Sequence, residues 1–202
     1  MNPVDLIRLQ ITLEYDLDES GRLVPFPGST EQGLYIVYRY PGGYIPYFNH
    51  SLPEALCDRL RSLGGEQAFE APQAVVWLMQ RYQPCHFEGR FVSEYLPRLS
   101  EAGEFSRVVQ QGEQFVVLED GKPVCRAWSE RSNTACAEVA VETHPDHRRK
   151  GCARQAVAAW AYDVIRSGRV ALYSYKAENQ PSQALARSLG AVWYAEVVCY
   201  SS

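Results

Sequence analysis

Three cations in a row, Arg148, Arg149 and Lys150, stand directly before Gly151 and the small residues Cys152 and Ala153. An apolar stretch carrying Val141 and Thr143 leads into them, and a helical pattern starts after the glycine. A helix N-terminus already carries partial positive charge, so cations there oppose the helix unless an anion is to be bound. Glycine and small neighbours let backbone approach a bulky ligand, and the free N–H groups of a first turn suit a pyrophosphate. The stretch is not a Walker loop, because no Gly-Lys-Ser/Thr closes a glycine-rich run, and it lacks the three spaced glycines of a dinucleotide fingerprint.

Other reactive side chains lie close by in sequence. Glu138 and Glu142 alternate with Val139 and Val141, so strand periodicity puts both carboxylates on one face. His144 and His147, with Cys136 or Cys152, raise a metal reading. Zinc wants four tightly spaced ligands, so an isolated H-x-x-H in a loop is read as no metal site. Cys152 occupies a helix-start slot where a small packing residue is expected rather than a nucleophile.

These residues sit in a chain of 202 amino acids with 46% hydrophobic and 22% charged residues and a formal charge of −4. Such a balance fits a globular protein and argues against a nucleic-acid or anionic-membrane partner, which would want a basic face. The first residues offer neither a basic segment nor an apolar run of signal-peptide type, and no stretch is long enough for a membrane helix. Six scattered cysteines without a CxxC pair fit a reduced, cytoplasmic chain.

The elements that must position the loop are legible from residue 105 on. Residues 113–130 read as two strands joined at Asp120-Gly121, and 135–143 as a third strand. The helix after Gly151 puts Ala153, Ala156, Val157, Trp160, Ala161 and Val164 on one stripe and stops at Gly168. A strand over 169–175 follows, then a short helix with Pro181 in its first turn, Leu185 and Leu189 facing inward and Gly190 as its stop. The terminal strand, 191–200, has an apolar edge suited to pairing in a homodimer. Residues 1–104 read as a further α/β region. It holds a strand over 6–15, a tyrosine-rich hairpin over 34–48 about Pro41-Gly42-Gly43, a helix from Ser51 to Gly64-Gly65 and a second helix from 71 to 82. The expected division is 1–104 and 105–202.

The pattern Val141-x-Thr143-x-Pro145-x-x-Arg148-x-x-Gly151-x-Ala153 resembles the acetyl-CoA-binding motif of the GNAT superfamily of N-acetyltransferases. Residues 173–191 are similar to the second motif of that family, with Asn179, Ser182, Leu185 and Gly190 in register. The resemblance covers about residues 105–202. It implies an α/β (α+β) fold with a mixed, splayed central sheet flanked by helices, and acetyl-CoA as co-substrate. It further implies that backbone near Val141 and Thr143 pairs with the pantetheine arm. By the same resemblance, amides of Arg149, Lys150, Gly151, Cys152, Ala153 and Arg154 hold the pyrophosphate below Arg148, while Asn179 and Ser182 meet the far side of the ligand.

The activity so implied is acetyl transfer to a primary amine, small-molecule or peptide, within a ternary complex. Transfer needs a neutral amine, a donor for the oxyanion and, optionally, an acid for the thiolate. Many members carry a Tyr seven residues after the Asn as that acid, and this chain has Ala186 there. Tyr173, Tyr175 and Tyr194 are the substitutes, Tyr175 being carried as the catalytic candidate together with Glu142 and Glu138. Glu142 lies nearer the implied thioester and is preferred as base. Residues 1–104 are expected to shape the acceptor pocket, with the hairpin over 34–48 as one wall. The alternative reading is a non-catalytic acyl-CoA-binding module, and its support is the missing tyrosine.

Overall fold

The computed structural model describes residues 1–30, 32–97 and 105–202. The chain divides into two units, Met1–Ser93 with Tyr194–Ser202, and Glu94–Trp193. The boundary expected at 104/105 touches Glu104, which lies outside the described residues. Each unit is mixed α and β. No helix among the described residues is long and apolar enough to cross a membrane, which says nothing of strands.

The first unit opens with a helix where a strand is expected: α1 is Pro3–Ile11. Alternating Ile7, Leu9 and Ile11 suggest period two. The start signals prevail: the Asn2 side chain caps Val4 N–H, proline stands in the first turn, and Asp5 complements the dipole. Short strands β1 (Tyr15–Leu17) and β2 (Leu23–Pro25) pair with each other. The tyrosine-rich hairpin forms as expected, from β3 (Gly33–Tyr40) and β4 (Gly43–Phe48), with Tyr40 opposite Gly43 across the turn. The next helix, α2 (Glu54–Glu70), does not end at the double glycine. It breaks direction at Gly64, whose φ of 78° is left-handed, and then continues. Helix α3 (Pro72–Met79) follows as expected. An unforeseen strand, β5 (His86–Leu96), carries the chain into the second unit, and β11 (Val192–Ser201) brings it back.

Strands of the first unit run in the order β4-β3-β11-β5. The terminal strand is therefore interior, antiparallel to β3 from Glu196↔Arg39 to Ser201↔Gly33. This corrects the expectation of an open edge for dimer pairing: both flanks of β11 have neighbours. Its inward side chains join Tyr35, Phe48, Leu56, Leu60, Phe69 and Met79 in one apolar cluster through Val198 and Tyr200. The Tyr200 hydroxyl donates to Ala68 C=O at 2.6 Å, so this phenol is buried with its polar end satisfied.

The second unit holds β6 (Val108–Gln111), β7 (Gln114–Glu119), β8 (Lys122–Ser132), β9 (Cys136–Thr143) and β10 (Val170–Lys176), in the order β10-β9-β8-β7-β6. Strands β6 to β9 pair antiparallel, and β10 joins β9 in parallel. The two helices are α4 (Cys152–Arg166) and α5 (Gln180–Ser188). Of the predicted stripe of α4, Ala156, Val157, Trp160, Ala161 and Val164 are buried and Ala153 is only partly so; Trp160 is 1% exposed, its indole N–H donating to Ser129 Oγ at 2.9 Å. Burial of one such indole is worth about 3 kcal/mol or more. On α5 the fully buried side chain is Ala186, whereas Leu185 and Leu189 are only partly buried. All six cysteines are free and five of them are buried.

Candidate active site

Strand β9 is held on its β8 side along its whole length but on its β10 side only in part. The parallel registers are Val170↔Cys136, Ala171↔Ala137 and Leu172↔Glu138. Beyond Glu138 the two strands part, while β9 stays in register with β8 as far as Cys125↔Thr143. The His144 N–H donates to Val124 C=O at 2.9 Å, which sets the phase of the antiparallel ladder. Glu142 and Ala140 therefore spend their backbone groups on β8. Val141 and Thr143 aim N–H and C=O into the gap, whereas the Val139 N–H belongs to the last parallel bridge, at Leu172↔Glu138. One such group, Thr143 C=O, is approached by Arg148 Nε at 3.4 Å.

The gap opens beside the cationic loop. After a single 3-10 turn, Pro145–His147, the chain runs through extended Arg148, left-handed Arg149 (φ 62°) and left-handed Gly151 (φ 79°) into α4. A non-glycine residue at positive φ is uncommon, so Arg149 is a special backbone position in this loop. The start of α4 has no side-chain cap and no acid in its first turn, and Arg148, Arg149 and Lys150 are exposed. A Cβ placed on Gly151 would meet nothing within 4 Å, so the space above the turn is open. Cys152, 2% exposed, turns its side chain inward and offers only backbone, as expected of a packing residue. Arg154 Nε donates to Ser188 C=O at 3.2 Å, tying the first turn of α4 to the end of α5. His147 Nδ1 lies 2.5 Å from Glu119 Oε2 at the end of β7.

The remaining predicted residues do not converge. Asn179 is the N-cap of α5, its Oδ1 accepting from Ser182 N–H at 3.1 Å. The Ser182 side chain in turn hydrogen-bonds the Tyr173 hydroxyl. Glu138 and Glu142 share one face as periodicity requires, but each has its own arginine. Glu138, 4% exposed, receives Ser174 Oγ and lies 3.2 Å from Arg131 Nη1. Glu142 is exposed and bound by Arg126 through Nη2 at 2.6 Å and Nε at 2.9 Å. The opposite face, with Ser129 and Val139 as cross-strand partners, is the one α4 covers. Tyr173 and Tyr175 of β10 stand on that covered face.

A model of the GNAT acetyltransferase family matches residues 91–201, more than half of the chain. The chain belongs to the GNAT acetyltransferase family. Among solved structures, a GNAT-family acetyltransferase from Novosphingobium aromaticivorans is 17% identical, with 58% of this chain and 68% of that one covered and a TM-score of 0.48. A GNAT-family acetyltransferase from Colwellia psychrerythraea is 11% identical over 100% of this chain and 97% of that one, with a TM-score of 0.48. A GCN5-related N-acetyltransferase-like protein from Streptococcus suis is 15% identical over 82% of each chain, with a TM-score of 0.45. No curated protein matches.

Two features of this GNAT chain bear on its chemistry. Ala186, where many members have tyrosine, is wholly buried, so α5 leaves no room for a phenol there. Of the two phenols on the covered face, Tyr175 is 7% exposed, its pKa pushed up to about 12 by burial and by the neighbouring Glu94 carboxylate. Glu94, in β5, was missed by sequence reading. Burial raises its pKa above the ordinary carboxylate value, opposed by the Tyr175 hydroxyl that hydrogen-bonds it and by the charge of Arg187. Its Oε2 is buried and has no hydrogen-bond partner among the described residues. The only sequence signal was a glutamate inside a weakly patterned stretch, 86–96, interrupted by Glu88, Gly89 and Arg90.

Proposed function

We propose that this protein transfers the acetyl group of acetyl-CoA to a primary amine, with acetyl-CoA seated in the gap between β9 and β10 and over the start of α4. One observation carries the reading: the strands part beside a helix N-terminus that is uncapped, cationic and held in left-handed turns at Arg149 and Gly151. Backbone of Val141 and Thr143 would pair with the pantetheine arm as an added strand would. Amides of Arg149, Lys150, Gly151, Cys152, Ala153 and Arg154 would hold the pyrophosphate, with Arg148 as counter-ion. Acetyl-CoA supplies an activated thioester. The Val141 N–H, on the gap side of β9, would stabilise the oxyanion formed when an amine adds to it. Asn179 enters the proposal as the cap that orients α5, and Ser182 as the partner of Tyr173. Residues 1–104 enter it as the part that selects the amine.

The seat is tested by calorimetry and thermal shift with acetyl-CoA. Ligand at about 100 times its dissociation constant should add about 2.7 kcal/mol of stability. Gly151→Glu should abolish that gain, because a bulky anion then fills the phosphate position. Arg166→Glu, at the other end of α4 and about 20 Å away, should keep it. Unchanged affinity in Gly151→Glu would overturn the assignment of the loop. The buried Ala186 favours one second reading, a non-catalytic acyl-CoA-binding module. Tight acetyl-CoA binding without turnover on any amine of a broad panel would select it.

A further inference from the structure

We infer that Trp128 selects the acceptor, and that the acceptor amine carries an aromatic or comparably broad apolar group, which packs on the indole beside Ala140. The inference rests on the acetyl-transfer reading above and narrows its acceptor.

Trp128 stands directly opposite Ala140 in the antiparallel ladder of β8 and β9. Residues so opposed share a face, with their Cβ atoms about 5 Å apart. That face also bears Glu138 and Glu142, and it is opposite to the one on which Ser129 meets Trp160 of α4. Helix α5 lies on the α4 side as well, through Arg154 to Ser188 and Ser182 to Tyr173. Both helices of this unit are thus behind the ladder as seen from Trp128. On the near face Trp128 and Ala140 are only half-buried, and Arg126 and Glu142 are exposed. Ala140 falls between Glu138 and Glu142, just past the last residue of β9 that pairs with β10. A methyl between two longer side chains leaves a notch, with the indole as its wall. The next residue is Val141, whose N–H looks into the gap, so a group in this notch lies beside the place proposed for the thioester.

The indole is fixed in advance. Its N–H donates to Glu130 Oε2 at 3.0 Å, and Arg126 Cζ lies over the ring, 5.2 Å from its centroid. A ring held in this way loses little freedom when a ligand packs on it. The charged groups around it are already engaged. Arg126 turns Nε and Nη2 to Glu142, Arg131 lies against Glu138, and Glu130 accepts from the indole. What the notch distinguishes best in an acceptor is therefore apolar area rather than charge.

The test compares kcat/KM of the full chain for ethylamine, butylamine and phenethylamine, with acetyl-CoA affinity read by calorimetry. All three are primary alkyl amines, so they differ chiefly in the apolar group. Wild type should prefer phenethylamine over ethylamine by about 10-fold or more. Trp128→Ala should shrink that preference to about 2-fold or less, mainly through a higher KM for phenethylamine, as loss of uniform binding requires. Acetyl-CoA affinity should not change, and Trp128→Phe should restore most of the preference. Ala140→Leu fills the notch and should shrink the same ratio, which decides the point if Trp128→Ala fails to fold. Wild type that acetylates the three amines equally well overturns the inference, as does a loss in either variant that is equal for all three, and both results leave the acetyl-CoA seat standing. Wild type that does not bind acetyl-CoA overturns the parent reading and the inference with it.

Discussion

Glu94 shows what burial does to a single carboxyl. Its folded-state pKa lies above its unfolded value because burial outweighs the help of Tyr175 and Arg187. Between those two values the native chain binds more protons than the unfolded chain, so stability falls as pH rises through the window and stays lower above it. Glu94→Gln removes this dependence. Relative to wild type, the variant should gain thermal stability at about pH 8 and little or none at about pH 4, measured as the difference in Tm at each pH. A pH-independent difference would sink the idea. At this scale the sequence was informative where chemistry is local. Arg148, Arg149, Lys150 and Gly151 suggest the proposed anion seat because they are contiguous. Glu94 was silent because its meaning comes from Tyr175 and Arg187, far along the chain.

Elements were readable where start and stop signals agreed with periodicity. Asp120 and Gly121 both take left-handed φ, 50° and 74°, which the two-residue hairpin between β7 and β8 demands. For α1 the two signals conflicted, and the cap with its proline overruled an alternating apolar pattern. Strand β5 was unreadable because Glu88, Gly89 and Arg90 interrupt any period. The start of α5 shows a residue assigned a ligand role by family resemblance that has a structural task of its own. Because Asn179 caps Ser182 N–H, Asn179→Ala should cost about 1 kcal/mol. That corresponds to about 2–4 °C in Tm for a chain of this size, and Asn179→Ser should restore most of it. Calorimetry without ligand isolates this role, since a residue that acted only on acetyl-CoA would leave the unliganded Tm unmoved.

For the molecule as a whole, charge is arranged against its own average. The chain carries −4 overall yet gathers three exposed cations at one helix start. Acetyl-CoA affinity should therefore fall several-fold as ionic strength rises from about 0.05 M to about 0.5 M, since exposed charge is screened over about 10 Å or less. A salt-independent dissociation constant would argue that backbone amides alone hold the anion. The second unit was read nearly whole because its order of elements and its loop reinforce each other. The first was read only in pieces, since no motif arbitrated between helix and strand.

The interior place of β11 sets a schedule for synthesis. Residues 1–93 leave the ribosome with a vacancy beside β3 that only residues 194–201 fill. At about 5–20 residues per second, the wait is about 5–20 s. Throughout it, β3 is paired with β4 on one side only and presents its other edge to every nascent neighbour, a template for intermolecular pairing. The C-terminal strand is thus the clasp of the N-terminal unit, and chaperone demand during translation should end when it arrives.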